Sequence, residues 1–464
     1  MDKKILIKNA RAIVSCDGED RVYRDADMLI EGPRILAIGR DLMNQRDPAS
    51  GREWKEEVQV IQAEGKFVYP GLINTHHHFF QTFVRNLITI DYPNMMVMDW
   101  IDKIYRIFQN IDSDVIYYST LTSFADLIKH GCTCAFDHQY CYTRKTGKSP
   151  VDRQMEAAEL LGIRYHAGRG TNTLPRSEGS SIPDNMLETT DEFLKDCDQL
   201  IGLYHDPRPF SMKQIVMAPC QPINCRRDTF AETVAMAREK GVRMHTHLGE
   251  GENEGMIARW GKRTMDWCEE MDFIGEDVWY AHDWEVTKEE YKVLAATGTG
   301  VSHCPAPAVL GGFPILNIKE MQEAGILVSL GCDGSATNDS SNLLDALRMA
   351  YLMQAYHTKE RGGCTSAYDM LKVATVNGAK TLGRTDLGTL EAGKAADLFM
   401  IDDPKNLLAR VGLTGPVWMT MINGNIVYKD GILKGVDERK LAMDGEAVCT
   451  RVIREPHSAY RDFI

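Results

Sequence analysis

The sequence has no long hydrophobic run, no Cys-x-x-Cys pair and no excess of positive charge, and each absence excludes a class of protein. A membrane-spanning helix needs about 20 consecutive apolar residues, and the sequence contains no such run. The first residues, MDKKILIKNARAIVS, lack the apolar segment of a signal peptide, so we expect a cytoplasmic protein. In that compartment the 12 cysteines predict buried thiols rather than a disulfide framework.

Negative charge exceeds positive charge. Lysine and arginine number 53 against 66 aspartate and glutamate residues, which gives a formal net charge of -13. Nucleic acids and anionic membrane surfaces repel an acidic protein, so we expect neither as a partner. A small-molecule substrate fits this composition better.

The chain also lacks the Gly-rich GxGxxG and P-loop motifs of nucleotide-binding open sheets, although strand and helix patterns alternate between residues 66 and 385. Amphipathic helical segments separate eight strand-like runs: FVYPGLINTH, CTCAFDH, IRYHAGR, IVMAPC, VRMHTH, VWYAHD, GVSHCP and ILVSLGCDG. Eight consecutive units of this kind predict an α/β fold, a (β/α)8 TIM barrel, with its active site at the C-terminal ends of the strands.

The two ends of the chain carry a different pattern. Short β-branched runs punctuated by turn residues fill residues 1–65, and ADLFMID, VWMTMING and NIVYKDGIL repeat this style within residues 386–464. We therefore expect both termini to combine into one small β-sandwich subdomain beside a barrel formed by residues 66–385.

Residues able to bind a metal ion collect at the ends of the predicted barrel strands. The first strand ends in three histidines, of which His76 and His78 point the same way because side chains alternate along a strand. Later strand ends supply further groups: His247 with Glu250, His282, and Asp333. Imidazole and carboxylate ligands without thiolates suit Zn²⁺ or Fe²⁺. We predict one divalent ion per subunit, with zinc preferred and iron as the alternative.

The motifs PGLINTHHH, HTHLGE, AHD and GCDGSATND, in this order, resemble those of the amidohydrolase superfamily. Within it the chain is similar to the N-heterocycle aminohydrolases, which include 8-oxoguanine, guanine and cytosine deaminases and the s-triazine hydrolases. The resemblance covers nearly the whole chain and implies these metal ligands: His76, His78, His247 and Asp333. Strand four ends in Pro219-Cys220 without a lysine that could bridge two metals, which implies a single ion.

The resemblance also implies a reaction, the hydrolytic deamination of an aminated heterocycle such as 8-oxoguanine, guanine or a pterin. Hydroxide formed at the metal would attack the amino-bearing ring carbon, and ammonia would leave. In this scheme Glu250 protonates the ring nitrogen, while His282 and Asp333 steer the proton of the attacking water. Two alternatives stay open: an s-triazine hydrolase that displaces chloride or an alkylamine at the same site, and a non-catalytic scaffold.

One motif departs from many relatives. After strand seven they have HCP followed by a Ser-Asn pair, whereas this chain reads HCPAPA. The loss of two polar side chains puts purine contacts from this loop in doubt.

Five residues are candidates for contacts with the substrate ring: Gln81, Trp100, His138, Arg169 and Gln221. Trp100 would stack on the ring, although a helical tryptophan is often a core residue. Arg169 could instead pair with a loop carboxylate such as Glu178. His245 lies deeper in the barrel than His247, which favours a satisfied interior histidine. We also expect a homo-oligomer, most simply a homodimer.

Overall fold

Two β-sheets, one of eight strands and one of nine, organise the computed structural model of the chain. The structure describes residues 3–45, 58–85, 97–147, 150–358, 365–402 and 416–454. The strands, numbered in chain order, are β1 (Lys4–Val14), β2 (Val22–Glu31), β3 (Arg34–Gly39), β4 (Val58–Gln62), β5 (Lys66–Pro70), β6 (Leu72–Asn74), β7 (Cys132–Gln139), β8 (Arg164–Thr171), β9 (Lys213–Pro219), β10 (Arg243–Leu248), β11 (Val278–His282), β12 (Gly300–His303), β13 (Val328–Leu330), β14 (Leu398–Asp402), β15 (Val417–Ile422), β16 (Asn425–Lys429) and β17 (Ile432–Leu433).

The α-helices of the described residues lie mainly between the strands of the eight-stranded sheet. They are Val97–Phe108, Ser113–Lys129, Pro150–Leu161, Thr190–Tyr204, Arg227–Lys240, Asn253–Trp260, Thr264–Glu270, Lys288–Thr297, Pro305–Gly311, Ile318–Glu323, Ser335–Asn338, Leu343–Thr358, Ala367–Val373, Val376–Thr381 and Glu438–Cys449.

The eight-stranded sheet is the predicted barrel. Strands β6 to β13 lie side by side in chain order, and every pair is parallel. Two backbone hydrogen bonds join the first strand to the last, from Thr75 N to Leu330 O (3.0 Å) and from Asp333 N to His76 O (3.0 Å). The (β/α)8 prediction is therefore confirmed, and each of the eight predicted runs contributes a strand to the barrel. The first run, FVYPGLINTH, is divided, because Lys66–Pro70 forms β5 of the other sheet and only Leu72–Asn74 forms the barrel strand β6.

Helix Arg227–Lys240 shows how the sequence defines one unit of the barrel. Phe230, Val234 and Ala237 recur at helical spacing and are buried, so they form the face that packs on the strands. The helix ends at Gly241, which has a φ of 70° that glycine adopts without steric cost, and β10 begins two residues later.

The nine-stranded sheet combines both ends of the chain, as predicted. Its order is β17-β16-β15-β14-β5-β1-β2-β3, with β4 paired to β1. Antiparallel pairing of β14 with β5 joins the C-terminal strands to the N-terminal ones. The division at residues 65 and 386 stays a prediction: β5 belongs to this sheet, and helix Glu438–Cys449 packs beside barrel residues through Val448 and Cys449.

A buried ion pair connects the barrel to the terminal sheet. Arg164, the first residue of β8, donates from Nε and Nη2 to the two carboxylate oxygens of Asp397, at 3.1 and 3.0 Å. Asp397 also accepts the backbone N–H of Asn423 at 2.7 Å. Both charged side chains are almost fully buried, so each depends on the other to balance its charge.

The described residues bear on two expectations drawn from the composition, which concern membrane-spanning helices and cysteines. Within them, no helix is both long and apolar enough to cross a membrane. Eleven described cysteines are buried free thiols, as the absence of close cysteine pairing predicts.

Candidate active site

Four residues from three distant parts of the chain meet at the C-terminal end of the barrel. We call His76, His78, His247 and Asp333 the metal cluster. Asp333 Oδ1 lies 3.4 Å from His76 Nε2 and 3.3 Å from His78 Nε2, and the Nε2 atoms of His78 and His247 are 3.0 Å apart. All four side chains are buried. Potential ligand atoms within these distances form a site of the size that a single metal ion requires.

The opposite ring nitrogens of His78 and His247 have backbone partners. Nδ1 of His78 is 2.9 Å from His138 O, and Nδ1 of His247 is 2.6 Å from Cys220 O. A carbonyl oxygen can only accept, so each Nδ1 carries a proton and each Nε2 keeps its lone pair for a metal. The third histidine, His76, places its Nδ1 2.9 Å from Nε2 of His245.

The donor set fits a divalent cation. His76 Nε2 and both ring nitrogens of His282 are buried and make no hydrogen bond within the described part of the chain. Burial lowers the pKa of His76 and of His282 to about 3, so both rings are neutral and offer lone pairs. Unpaired imidazole nitrogens beside an aspartate carboxylate are the ligands that zinc and iron prefer.

Two residues of the site, at the ends of β11 and β13, have left-handed backbone conformations. His282 has a φ of 83° and Asp333 a φ of 63°, values that side chains other than glycine rarely adopt. Gly334, next along the chain, has no room for a side chain, because a Cβ there would lie 1.8 Å from Gln81 Oε1. Such conformations cost free energy and persist where the surrounding structure enforces them, typically at functional sites.

Glu250 faces the metal cluster from the loop after β10. Its carboxylate lies 3.5 Å from His282 Nε2, and its other oxygen is 3.5 Å from Gln221 Nε2. Burial, together with the negative charges of Asp333 and Glu252, raises the pKa of Glu250 well above its usual value. The side chain keeps 23% of its surface exposed, so this carboxyl group can exchange protons with a ligand in the pocket.

A second glutamate in the same loop is a functional residue that the sequence analysis missed. Glu252 accepts the backbone N–H groups of Gly249 and Glu250, both at 2.6 Å, and so fixes the turn that carries Glu250. Trp284 was also missed: its ring packs against His282 (centroids 4.5 Å apart) and stacks on Phe313. The spacing of acidic residues in HLGEGENEG is a signal for a carboxylate-rich loop but does not assign separate roles.

Three of the predicted substrate residues lie at the cluster. Gln81 is buried in the turn Phe79–Val84, donates to Tyr140 Oη at 3.3 Å, and leaves its Oε1 without a protein partner among the described residues. Gln221 contacts the carboxylates of Glu250 and Glu252. His138 lies beneath His247, stacked at 4.7 Å, and donates from Nε2 to Ala218 O, which makes it a support of the cluster.

The other two differ. Trp100 belongs to helix Val97–Phe108, but its side chain lies outside the described residues. Arg169 is not available to a substrate in the way expected, because its guanidinium makes hydrogen bonds to Glu188, Asp196 and the carbonyl of Gly170. Alternation along β8 puts it on the face opposite to Gly168 and Gly170. Arg169 instead pairs with a carboxylate, as the alternative interpretation proposed, but the partner is Glu188 and not Glu178.

Two further expectations concern lysine and an interior histidine. Lys213, the first residue of β9, forms an ion pair with Glu159 at the end of the strand opposite to Pro219. Lys213 therefore lies at the end of β9 remote from the metal cluster. His245 is satisfied, as expected, by Trp279 O (2.9 Å) and by His76.

Comparisons with known proteins agree with this geometry. The model of the amidohydrolase family matches residues 67–427. The chain is 49% identical to hydroxydechloroatrazine ethylaminohydrolase from Pseudomonas sp. (strain ADP), over 95% of this chain and 94% of that protein. It is 30% identical to 8-oxoguanine deaminase from Pseudomonas aeruginosa, over 96% and 98%. Zinc-bound atrazine chlorohydrolase from Arthrobacter aurescens TC1 superposes with a TM-score of 0.88 at 29% identity, over 96% and 100%. The chain belongs to the amidohydrolase family.

Proposed function

We propose that this protein hydrolyses an exocyclic C–N bond of a nitrogen heterocycle and releases ammonia or an alkylamine. The observation that carries the proposal is the convergence of the metal cluster with Glu250, whose carboxyl group lies beside His282 at the mouth of the cluster. An imidazole-rich cation site next to a proton-exchanging carboxyl group is the arrangement that hydrolysis of a ring amidine needs.

His76, His78, His247 and Asp333 would hold one divalent ion, which lowers the pKa of water to about 7 and so makes hydroxide available at neutral pH. We propose Zn²⁺ as this ion, with Fe²⁺ as the alternative. The protein's own part is to keep the imidazoles neutral and their Nε2 atoms directed inward, through the hydrogen bonds of their Nδ1 atoms.

Glu250, His282 and Asp333 transfer the protons in the proposed reaction. Water adds to the ring carbon, and Glu250 delivers a proton to the adjacent ring nitrogen so that negative charge does not accumulate there. The Glu250 carboxylate then takes the proton that the added hydroxyl group loses on becoming the ring carbonyl and passes it to the departing amine, so that the C–N bond breaks. The proton of the attacking water, held by His282 and Asp333, then restores the Glu250 carboxyl group. His282 and Asp333 lie where they can accept the proton of the attacking water, and Gln221 orients Glu250.

The choice of leaving group is inferred from one segment beside β12 and from the relatives of the chain. Cys304 and the first residues of helix Pro305–Gly311, up to Ala308, follow β12 with no amide or hydroxyl side chain, so this segment would offer a substrate mainly apolar contacts. The relative at 49% identity is named for removing ethylamine from a triazine, whereas isoxanthopterin deaminase and 8-oxoguanine deaminase are 31% and 30% identical. Both points favour an alkylamino-triazine over a purine.

A substrate panel tests the proposal. Purified protein would be incubated with an ethylamino-s-triazine, a chloro-s-triazine, isoxanthopterin and 8-oxoguanine, and ethylamine, chloride and ammonia would be measured separately. We expect amine release from at least one aminated ring. Release of chloride alone would support the dehalogenating alternative, and no turnover of any compound by metal-loaded protein would contradict the proposed reaction and revive the scaffold alternative.

We further propose that the protein forms a homodimer and acts in the cytoplasm. The dimer is supported by the general tendency of such enzymes to form symmetric assemblies. Light scattering coupled to size-exclusion chromatography measures the mass of the assembly. A mass of 52.2 kDa, that of one chain, would indicate a monomer and contradict the homodimer. Cell fractionation tests the cytoplasmic location.

A further inference from the structure

The three histidines of the metal cluster are not supported alike. His78 and His247 donate to backbone carbonyls, whose acceptor role cannot change. His76 has no such carbonyl partner at its Nδ1, which instead lies 2.9 Å from a side-chain nitrogen, Nε2 of His245. The two residues belong to the first and fifth strand regions of an eight-stranded barrel, so this bond crosses the interior rather than joining neighbouring strands.

The second hydrogen bond of His245 determines which nitrogen carries the proton in the bond between His245 and His76. His245 Nδ1 lies 2.9 Å from Trp279 O, and because a carbonyl only accepts, Nδ1 carries the proton. In a neutral ring, Nε2 of His245 is then an acceptor. His76 must therefore donate from Nδ1, which leaves the lone pair on its Nε2, the atom that lies 3.4 Å from Asp333 Oδ1 and makes no hydrogen bond among the described residues.

The position of the His245 ring is fixed by packing. It is fully buried and lies 4.7 Å from the rings of both Phe136 and Trp279. A ring held in this way cannot turn to exchange its acceptor nitrogen for a carbon. The neighbouring aromatic side chains thus keep a single acceptor directed at His76.

We propose that His245 is a positioning residue that sets His76 in the tautomer able to bind the metal ion. This inference rests on the proposed function, because it assigns His245 a role toward that ion. Without the acceptor, the His76 ring can take the other tautomer, in which Nε2–H donates to Asp333. Metal binding would then have to move that proton and break that bond, so affinity falls.

A matched set of variants separates this role from simple core packing. A glutamine side chain reaches the place of His245 Nε2 with an acceptor, whereas an asparagine side chain reaches only the place of Nδ1. His245→Gln therefore preserves the bond to His76, and His245→Asn and His245→Leu remove it. His166→Leu is the control, since His166 is equally buried in the barrel but its Nε2 lies 3.5 Å from Arg384 Nη1 rather than beside a residue of the metal cluster.

The measurement is Zn²⁺ affinity of the metal-free full-length chain, by competition with a chromophoric chelator, with thermal unfolding recorded alongside. We expect His245→Asn and His245→Leu to weaken Zn²⁺ binding about 10- to 100-fold, the usual effect of losing a partner of a ligating histidine. His245→Gln should recover most of the affinity, and His166→Leu should bind Zn²⁺ as the wild type does even if it melts earlier.

The outcomes distinguish the two proposals. If His245→Asn binds Zn²⁺ as tightly as His245→Gln and the wild type, the positioning role is overturned while the metal site stands. If the wild type itself binds no divalent ion, both the proposed function and this inference fail. Should His245→Leu not fold, the comparison of the asparagine and glutamine variants decides alone.

Discussion

Replacing Glu250 with glutamine changes one atom at the point where the proposed mechanism moves protons. The carboxyl group lies 3.5 Å from His282 Nε2 and 3.5 Å from Gln221 Nε2, and a glutamine side chain has nearly the same size. The four residues of the metal cluster are untouched. The substitution therefore removes proton transfer and leaves the cation site in place.

The size of the effect follows from the role. Loss of a general acid/base group costs about 10² to 10⁴ in kcat. At about 1.36 kcal/mol for each factor of ten, the barrier rises by roughly 3 to 5 kcal/mol. The unfolding temperature, in contrast, should stay unchanged or rise slightly. Burial and the charges of Asp333 and Glu252 disfavour an ionised Glu250, and the amide of glutamine is neutral.

The assay measures kcat for amine release together with bound metal and the unfolding temperature. Glu254→Gln is the matched control, because it makes the same chemical change on an exposed residue four positions along the chain and should retain wild-type turnover. Full turnover by metal-loaded Glu250→Gln would refute the assignment of Glu250. A loss of bound metal in this variant would instead place Glu250 among the ligands.

Two further predictions address the metal and the joint between the two sheets. Dialysis against a strong chelator should abolish turnover, and added Zn²⁺ or Fe²⁺ should restore it; activity that survives complete metal removal would exclude a metal-dependent reaction. Arg164→Met should lower the free energy of unfolding by about 3 to 5 kcal/mol, since it leaves the Asp397 carboxylate buried without its charged partner. Arg226→Met, which breaks an exposed pair with Glu178, should cost about 1 kcal/mol or less in the same urea titration, and equal losses would contradict the argument.

The barrel was predictable because each of its strands is bounded by a local signal. Apolar runs end in polar residues, and the helices between them carry their own periodicity and stops, as Gly241 does after Lys240. Pairing across the two termini was predictable only in outline. That β5 would join the terminal sheet, and not the barrel, depends on its partners β1 and β14, which lie far along the chain.

The surroundings of the candidate substrate residues were harder to predict than the convergence of the metal cluster. A strand fixes which way its side chains point, so the direction shared by His76 and His78 follows from their spacing alone. The same alternation turned Arg169 away from the lumen, where Glu188 and Asp196 bind it, but the sequence does not reveal which of many carboxylates comes near.

The hydrogen bond between His76 and His245 could not be predicted from the pattern of either strand alone. His245 was correctly expected to be a satisfied interior histidine, since its position below His247 in β10 gives it no access to solvent. Its partner could not be inferred, because the bond to His76 exists only when the ring of strands closes and sets the first strand region opposite the fifth. Closure, rather than any motif, therefore decides which nitrogen of His76 faces the ion. It follows that substitutions which loosen the barrel near Thr75 and Leu330, the residues of its closing hydrogen bond, should weaken metal binding even though neither side chain is a ligand.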